Sequence, residues 1–208
     1  MTDLVFQTRQ DEAPRRLIIL LHGVGSCAAD LAPVGRLLAD RLTEARVLVP
    51  DGFQPFDGGG SGRQWFSTSG VTPANRAARV DAALPALLDW IEARRVEAGV
   101  APGDVALLGF SQGAIMSLAA AARGAALGEV VAFAGRLVDP VLSATDASPR
   151  LLLLHGSDDR VIPAAEGRDA ANRLSAAGFR GEFRLQQGHG HGISPEQAVQ
   201  AAEWLATV

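Results

Sequence analysis

The sequence has little of several features that define common protein classes. Cys27 is its only cysteine, so no intrachain disulfide can form, which suits a reducing compartment. No apolar run approaches the roughly 20 residues of a membrane-spanning helix. Residues 1–10 lack the basic and then apolar pattern of a secretory signal. We therefore expect a cytoplasmic protein with no stable membrane insertion.

The sequence also lacks a basic patch or a run of like charges. Its 19 basic and 23 acidic residues give a net charge of −4, which argues against nucleic acid and anionic membranes as partners. With 208 residues, 48% of them hydrophobic, the chain can bury one sizeable core. It contains no internal repeat, low-complexity tract or linker, so we expect a single domain over residues 1–208.

Apolar runs typical of buried strands alternate with helical stripes along the chain. Strands are predicted at 4–8, 17–21, 47–49, 105–108, 129–134, 151–154 and 179–185. Helices are predicted from an N-cap at Asp30 to 42, and at 72–99, 115–122, 164–177 and 194–205, whereas 54–69 is predicted to be loop. This alternation predicts an α/β fold with a mostly parallel central sheet, helices on both faces and ligands at the carboxyl ends of the strands.

The most informative stretch is Asp104–Ala122, in which a short apolar run precedes Gly109-Phe110-Ser111-Gln112-Gly113 and a helical stripe follows it. A strand, G-x-S-x-G and a helix in this order form a nucleophile elbow. The turn is too sharp for side chains two positions from the serine, which explains both glycines. Ser111 is therefore predicted to lie at a helix N-terminus, where developing negative charge is favoured.

A serine nucleophile needs a base, and the base needs an acid to orient it. In the elbow fold these partners follow the serine in the order acid and then histidine. One downstream loop, after a predicted strand, offers Asp158 and Asp159. A second, glycine-rich loop before the last helix offers His189 and His191. The two histidines could also form a metal pair, but no cysteine or suitably spaced carboxylate accompanies them.

The stretch His22-Gly23-Val24-Gly25 lies between a predicted strand and the next helix. In the elbow fold this position supplies one N–H group to the oxyanion hole, and the residue after the nucleophile, here Gln112, supplies the other. A phosphate-binding loop is the competing interpretation, but the chain lacks the further glycine and the Lys-Ser/Thr pair that such loops require. His22 is predicted to be a structural residue beneath the turn.

Two large aromatic residues, Trp65 and Phe66, occur in the polar, glycine-rich segment that is predicted to be loop. Aromatic side chains in such a segment either fill the space beneath the loop or line the acyl pocket. The residues alone leave both interpretations open.

With these motifs, the sequence resembles the small serine esterases of the phospholipase/carboxylesterase group of α/β-hydrolases, which includes the acyl-protein thioesterases. The resemblance covers nearly the whole chain, and the segment RQWFS points to a bacterial, cytoplasmic branch of esterases. The motifs that carry it are His22–Gly25, Gly62–Ser67, Asn75–Asp81, Gly109–Met116, Ala132–Arg136, His155–Pro163 and Gly190-His191.

The resemblance implies Ser111 as nucleophile, Asp159 as acid, His191 as base, and Val24 and Gln112 as the oxyanion N–H groups. It implies a small-molecule ester or thioester substrate, no cofactor and no metal, and a monomer or homodimer. The chain has no insertion long enough for a lid domain, so we expect an open site and short or medium acyl chains. Two alternatives stay open within the enzyme class, an acyl-protein thioesterase and a lysophospholipase. A third is a catalytically silent binding module of the same fold.

Overall fold

The computed structural model describes residues 3–9 and 11–207, which form one seven-stranded sheet, a small hairpin and five α-helices. The sheet strands are β1 (Asp3–Phe6), β2 (Arg16–Leu21), β3 (Ala45–Pro50), β6 (Val105–Phe110), β7 (Glu129–Phe133), β8 (Arg150–Gly156) and β9 (Gly181–Gln186), and the hairpin strands are β4 (Gln54–Pro55) and β5 (Arg63–Gln64). The helices are α1 (Ala32–Arg41), α2 (Pro73–Ala98), α3 (Gln112–Ala122), α4 (Ala164–Ala176) and α5 (Pro195–Leu205).

The strands lie in the order β1-β3-β2-β6-β7-β8-β9. Only β1 pairs antiparallel to its neighbour, and the other pairs are parallel. The carboxyl ends of β2, β6, β7 and β8 therefore meet at one edge of the sheet. Strands β2, β6 and β8 lead directly into His22–Gly25, the turn at Ser111 and the loop that contains Asp159, and β9, which is parallel to β8, leads into the loop that contains His191.

Alternate residues of the central strands face two separate apolar layers, as buried parallel strands require. Leu17, Ile19 and Leu21 of β2 pack in the layer that contains α2, α3 and α4. Ile18 and Leu20 pack in the layer that contains α1 and α5. Both faces of the sheet are thus covered, and the predicted fold class is confirmed.

The structure differs from the prediction at several places, besides shifts of one to three residues at other element ends. Asp30 is not the N-cap of α1, because it lies in a 3-10 turn, Ala28–Leu31, where its carboxylate accepts from the Ser26 hydroxyl at 2.6 Å. Helix α1 begins at Ala32, since Pro33 suits the first helical turn. The predicted loop at 54–69 contains the hairpin of β4 and β5, and the last strand begins at Gly181 rather than at 179.

Among the residues that the structure describes, every helix is either too short or too polar to cross a membrane.

Candidate active site

Ser111 lies in a tight turn between β6 and α3. Its φ of 52° is in the left-handed region, which a non-glycine residue adopts only when its surroundings enforce it. A Cβ on Gly109 would lie 2.3 Å from the Gly113 carbonyl carbon, and one on Gly113 would lie 2.3 Å from the Leu21 carbonyl oxygen. The Ser111 N–H donates to the Phe133 carbonyl of β7 at 3.0 Å. Both glycines of the motif are therefore required by close backbone contacts.

His191 lies between Ser111 and Asp159. Its Nε2 is 2.9 Å from Ser111 Oγ, and its Nδ1 is 2.7 Å from Asp159 Oδ2. An ionised carboxylate only accepts, so Nδ1 carries the proton and Nε2 is free to accept the serine proton. The imidazole also packs against the Phe110 ring, with a centroid distance of 5.0 Å. The structure thus brings together the three residues that the resemblance selects.

The Asp159 carboxylate is fully buried and accepts hydrogen bonds on both of its oxygens. Oδ1 accepts from the N–H groups of Val161 at 2.8 Å and Ile162 at 2.9 Å, while Oδ2 accepts from His191. Burial alone would raise the pKa of Asp159, but the hydrogen bonds from His191, Ile162 and Val161 outweigh it and hold the pKa below its ordinary value. Asp159 therefore stays ionised beside His191 at neutral pH.

Asp158 and His189, the other members of the two candidate pairs, make no side-chain hydrogen bond with Ser111, Asp159 or His191 among the described residues. Asp158 is exposed and accepts from the Ser157 hydroxyl at 2.6 Å. Its N–H donates to the His189 carbonyl at 2.9 Å, so these residues tie the two loops together through the backbone. Within the described residues, no three His, Cys, Asp or Glu side chains converge as a metal site.

A second histidine, which the sequence analysis did not assign, contacts Asp159 from behind. His155 is buried in β8, and its Nε2 lies 2.8 Å from the Ile162 carbonyl and 3.2 Å from Asp159 Oδ2. Helix α4 approaches closely because Gly167 has no side chain, since a Cβ there would be 2.4 Å from His155 Nδ1. The only signal in the sequence is its position four residues before Asp159, at the end of a strand.

The backbone N–H groups of Val24 and Gln112 have no acceptor among the described residues. Gln112 begins α3, so its N–H is one of the free donors of a helix N-terminus. The turn that contains Val24 is held in place by β5, because the Gly25 N–H donates to the Arg63 carbonyl and the Arg63 N–H donates to the Ser26 carbonyl, both at 2.8 Å. Two unpartnered donors are what an oxyanion hole requires.

His22 supports this turn from below. It is fully buried, its Nδ1 lies 2.7 Å from the Gly23 carbonyl, and its Nε2 accepts from the Gly52 N–H at 2.8 Å. Burial lowers the pKa of His22, so the ring stays neutral with the proton on Nδ1. These contacts are those of a structural residue.

Trp65 and Phe66 are both buried, with 1% and 4% of their surfaces exposed. The Trp65 indole N–H donates to the His22 carbonyl at 2.8 Å, which favours the interpretation of a side chain that fills the space beneath the loop. The Gln112 side chain holds the same segment. Its Oε1 accepts from the Trp65 N–H at 2.9 Å, and its Nε2 donates to the Phe66 carbonyl at 2.7 Å. This two-point contact, which the sequence analysis missed, joins the elbow to the loop.

A parallel sheet with a serine elbow after a central strand defines the α/β-hydrolase class. The family model described as phospholipase/carboxylesterase matches residues 5–208, so the chain belongs to this family.

Individual relatives agree with this assignment. The chain is 35% identical to "Esterase YpfH" of Escherichia coli (strain K12) over 196 residues, covering 94% of this chain and 84% of the relative. It is 26% identical to "Carboxylesterase SOBER1" of Arabidopsis thaliana, covering 92% and 90%. Among solved structures, the crystal structure of esterase PE8 superposes with a TM-score of 0.88 at 29% identity, covering 99% of this chain and 96% of that one.

Proposed function

We propose that this protein is a single-domain serine hydrolase that cleaves carboxylic esters of short or medium acyl chains. The observation that carries the proposal is the position of His191, which is within hydrogen-bond distance of both Ser111 Oγ and Asp159 Oδ2. A serine hydroxyl becomes a useful nucleophile only when such a base accepts its proton. The single cysteine is in keeping with a cytoplasmic location.

In the proposed reaction, Ser111 Oγ attacks the ester carbonyl while His191 Nε2 takes the hydroxyl proton. Asp159 stays ionised and stabilises the imidazolium that forms. The free N–H groups of Val24 and Gln112 donate to the oxyanion of the tetrahedral intermediate, which is worth several kcal/mol in the transition state. Collapse of the intermediate breaks the ester bond, and His191 returns its proton to the departing alcohol, leaving an acyl-serine.

Water then completes the cycle with the same groups. His191 takes a proton from the attacking water, and a second tetrahedral intermediate with an oxyanion forms at the acyl carbon. When this intermediate collapses, the proton returns to Ser111 and the carboxylic acid leaves. Apart from this water, both halves of the proposed reaction use only groups of the chain. A thioester would follow the same steps with a thiol as leaving group, so an acyl-protein thioesterase remains the second candidate, and a lysophospholipase the third.

The test is labelling by a fluorophosphonate probe, which reacts only with an activated serine. We expect the natural chain to be labelled, and Ser111→Ala and His191→Ala to lose labelling while keeping their melting temperatures. His189→Ala is the matched control, because it removes a histidine two positions away in the same loop, and it should still be labelled. An unlabelled natural chain would favour the catalytically silent binding module.

A further inference from the structure

Two arginine side chains, in segments that adjoin the candidate active site, are less closely paired than the neighbouring Arg123. Arg136 lies 3.6 Å from the Glu166 carboxylate, and its side chain is only 16% exposed. Arg76 is half-buried. Within the described residues, neither side chain makes a hydrogen bond, whereas Arg123 meets Asp81 at 2.6 Å. We call Arg76 and Arg136 the arginine pair.

The segment that follows β7 begins beside the nucleophile and leads to Arg136, whose side chain reaches Glu166 in the first turn of α4. The Phe133 carbonyl accepts from the Ser111 N–H, and Ala134 has a φ of 51°, so the chain turns sharply beside the elbow. Gly135 lies against the first turn of α3, where a Cβ would be 2.6 Å from the Ala114 Cβ. Arg136 is therefore three residues from the backbone group that holds the nucleophile.

Arg76 lies in the first turn of α2, which adjoins the same side of the site. One turn further on, Arg79 donates to the Ser67 carbonyl at 2.8 Å, and the neighbouring Phe66 carbonyl accepts from the side chain of Gln112. The start of α2 thus lies beside the segment that contacts the residue after Ser111. Helix α2 also runs alongside α3, because Arg123 at the end of α3 pairs with Asp81.

The electrostatics of Arg76 agree with this placement. Burial lowers the pKa of the Arg76 guanidinium, the nearby charge of Arg136 lowers it further, and Glu166 opposes both effects. Arginine remains protonated under all ordinary conditions, so the cluster holds two positive charges against one negative charge. Two partly buried cations beside a single carboxylate repel each other, and an anion bound between them would relieve that repulsion.

We propose that the arginine pair binds a carboxylate carried by the ester substrate, so that the enzyme prefers esters with a negative charge a few atoms from the scissile bond. This inference rests on the proposed function. The fork of an arginine suits a planar carboxylate, and the half-buried position strengthens the contact relative to one in bulk water.

The experiment compares kcat/KM for pairs of esters of matched length. Mono(4-nitrophenyl) glutarate and 4-nitrophenyl pentanoate test a carboxylate on the acyl side, and 4-carboxyphenyl pentanoate and phenyl pentanoate test one on the leaving group. We expect the anionic ester of one pair to be preferred about tenfold or more, and the preference to fall about tenfold in Arg136→Gln and in Arg76→Gln. Higher salt should weaken the preference, since part of the pair is exposed.

Two variants control for charge and for folding. Arg41→Gln also removes one positive charge, but Arg41 pairs with Glu203 on the other face of the sheet, so the preference should not change. Arg136→Lys keeps the charge and loses the fork, so it should retain a part of the preference. Equal kcat/KM values for the anionic and neutral esters in the natural chain would overturn the inference, as would a preference that survives both glutamine substitutions.

A binding measurement separates this inference from the proposed function. Glutarate should raise the melting temperature of the Ser111→Ala variant, and the additional substitution Arg136→Gln should abolish the rise. If no ester is hydrolysed but glutarate still stabilises the protein through the arginine pair, the proposed function and the ester preference fail, and only the carboxylate-binding site stands. If the neutral esters are hydrolysed and glutarate has no effect, the inference fails and the proposed function stands.

Discussion

The polar groups at the two ends of the strands differ in whether they have partners. At the amino ends, Arg16 begins β2, Glu129 begins β7 and Arg150 begins β8. The Glu129 carboxylate, which is 5% exposed, accepts from both arginines, with Arg150 at 2.7 Å. Arg16 also donates to the Leu205 carbonyl at 2.7 Å. Every one of these charges has a partner, and together they fix the end of α5 to the sheet.

At the carboxyl ends, some groups are held in place without a partner, although Asp159 is fully hydrogen-bonded. Ser111 adopts a strained backbone conformation, and the Val24 N–H has no acceptor among the described residues. The arginine pair has one nearby carboxylate, that of Glu166, at 3.6 Å from Arg136. Leaving such groups unpartnered costs stability unless a ligand completes them. The comparison indicates that the amino ends stabilise the fold, while the carboxyl ends hold groups ready for substrate.

The largest effect that we expect is the fall in kcat when Asp159, the buried acid at the carboxyl ends, loses its charge. Asp159→Asn keeps the shape of the side chain but removes the charge that stabilises the His191 imidazolium, so kcat should fall about 10³- to 10⁴-fold. Asp158→Asn is the matched control on the adjacent residue and should stay within about twofold of the natural chain. Steady-state hydrolysis of 4-nitrophenyl butyrate measures both, and a larger loss in Asp158→Asn would contradict the assignment.

The next effect concerns the amino ends. Glu129→Gln leaves two arginines beside a neutral group in a buried site, and breaking a buried ion pair in this way costs about 3–5 kcal/mol of unfolding free energy. Urea denaturation followed by circular dichroism measures the loss, while kcat of the folded fraction should not change. Glu92→Gln removes a carboxylate from an exposed pair with Arg95 and should leave the urea midpoint where it is. Equal losses in the two variants would contradict the role assigned to the amino ends.

The sequence was sufficient to predict the sheet and the turn at its carboxyl ends, which depend on local pattern, but it predicted none of the ion pairs at the amino ends. Strand and helix periodicity predicted the layers of the sheet, and two glycines at fixed spacing predicted the turn at Ser111. Choosing Asp159 over Asp158 and His191 over His189 needed the resemblance to a family, because neighbouring loop residues differ only in where the backbone points them. The contact of Gln112 with Trp65, 47 positions away, depends on how distant segments pack. It therefore could not be predicted from strand and helix periodicity or from the spacing of glycines.

The smallest expected effect concerns Asp57, whose carboxylate organises the segment that leads to Trp65. It accepts from Gln64 and Ser67, each at 2.8 Å, and from the N–H groups of Thr68 and Ser69. The hydrogen bond from Gln64, followed by those from Ser67 and Ser69, lowers the pKa of Asp57 to about 2.

Because the folded pKa of Asp57 is lower than the unfolded value of 3.8, its stabilising contribution is complete above that value and is lost as the pH falls toward 2. Hydrogen exchange of residues 57–69 should therefore lose protection between these two pH values. Asp57→Asn cannot ionise, so it should show weaker protection at neutral pH and no further loss across this interval. A natural chain whose protection in this segment is flat from pH 4 to pH 2, while the amino ends of the strands stay protected, would show that the carboxylate does not organise the loop. A loss of protection confined to residues 57–69 would mean that this carboxyl-end loop opens before the amino ends do. We expect that order because the Glu129 carboxylate is paired with two arginines.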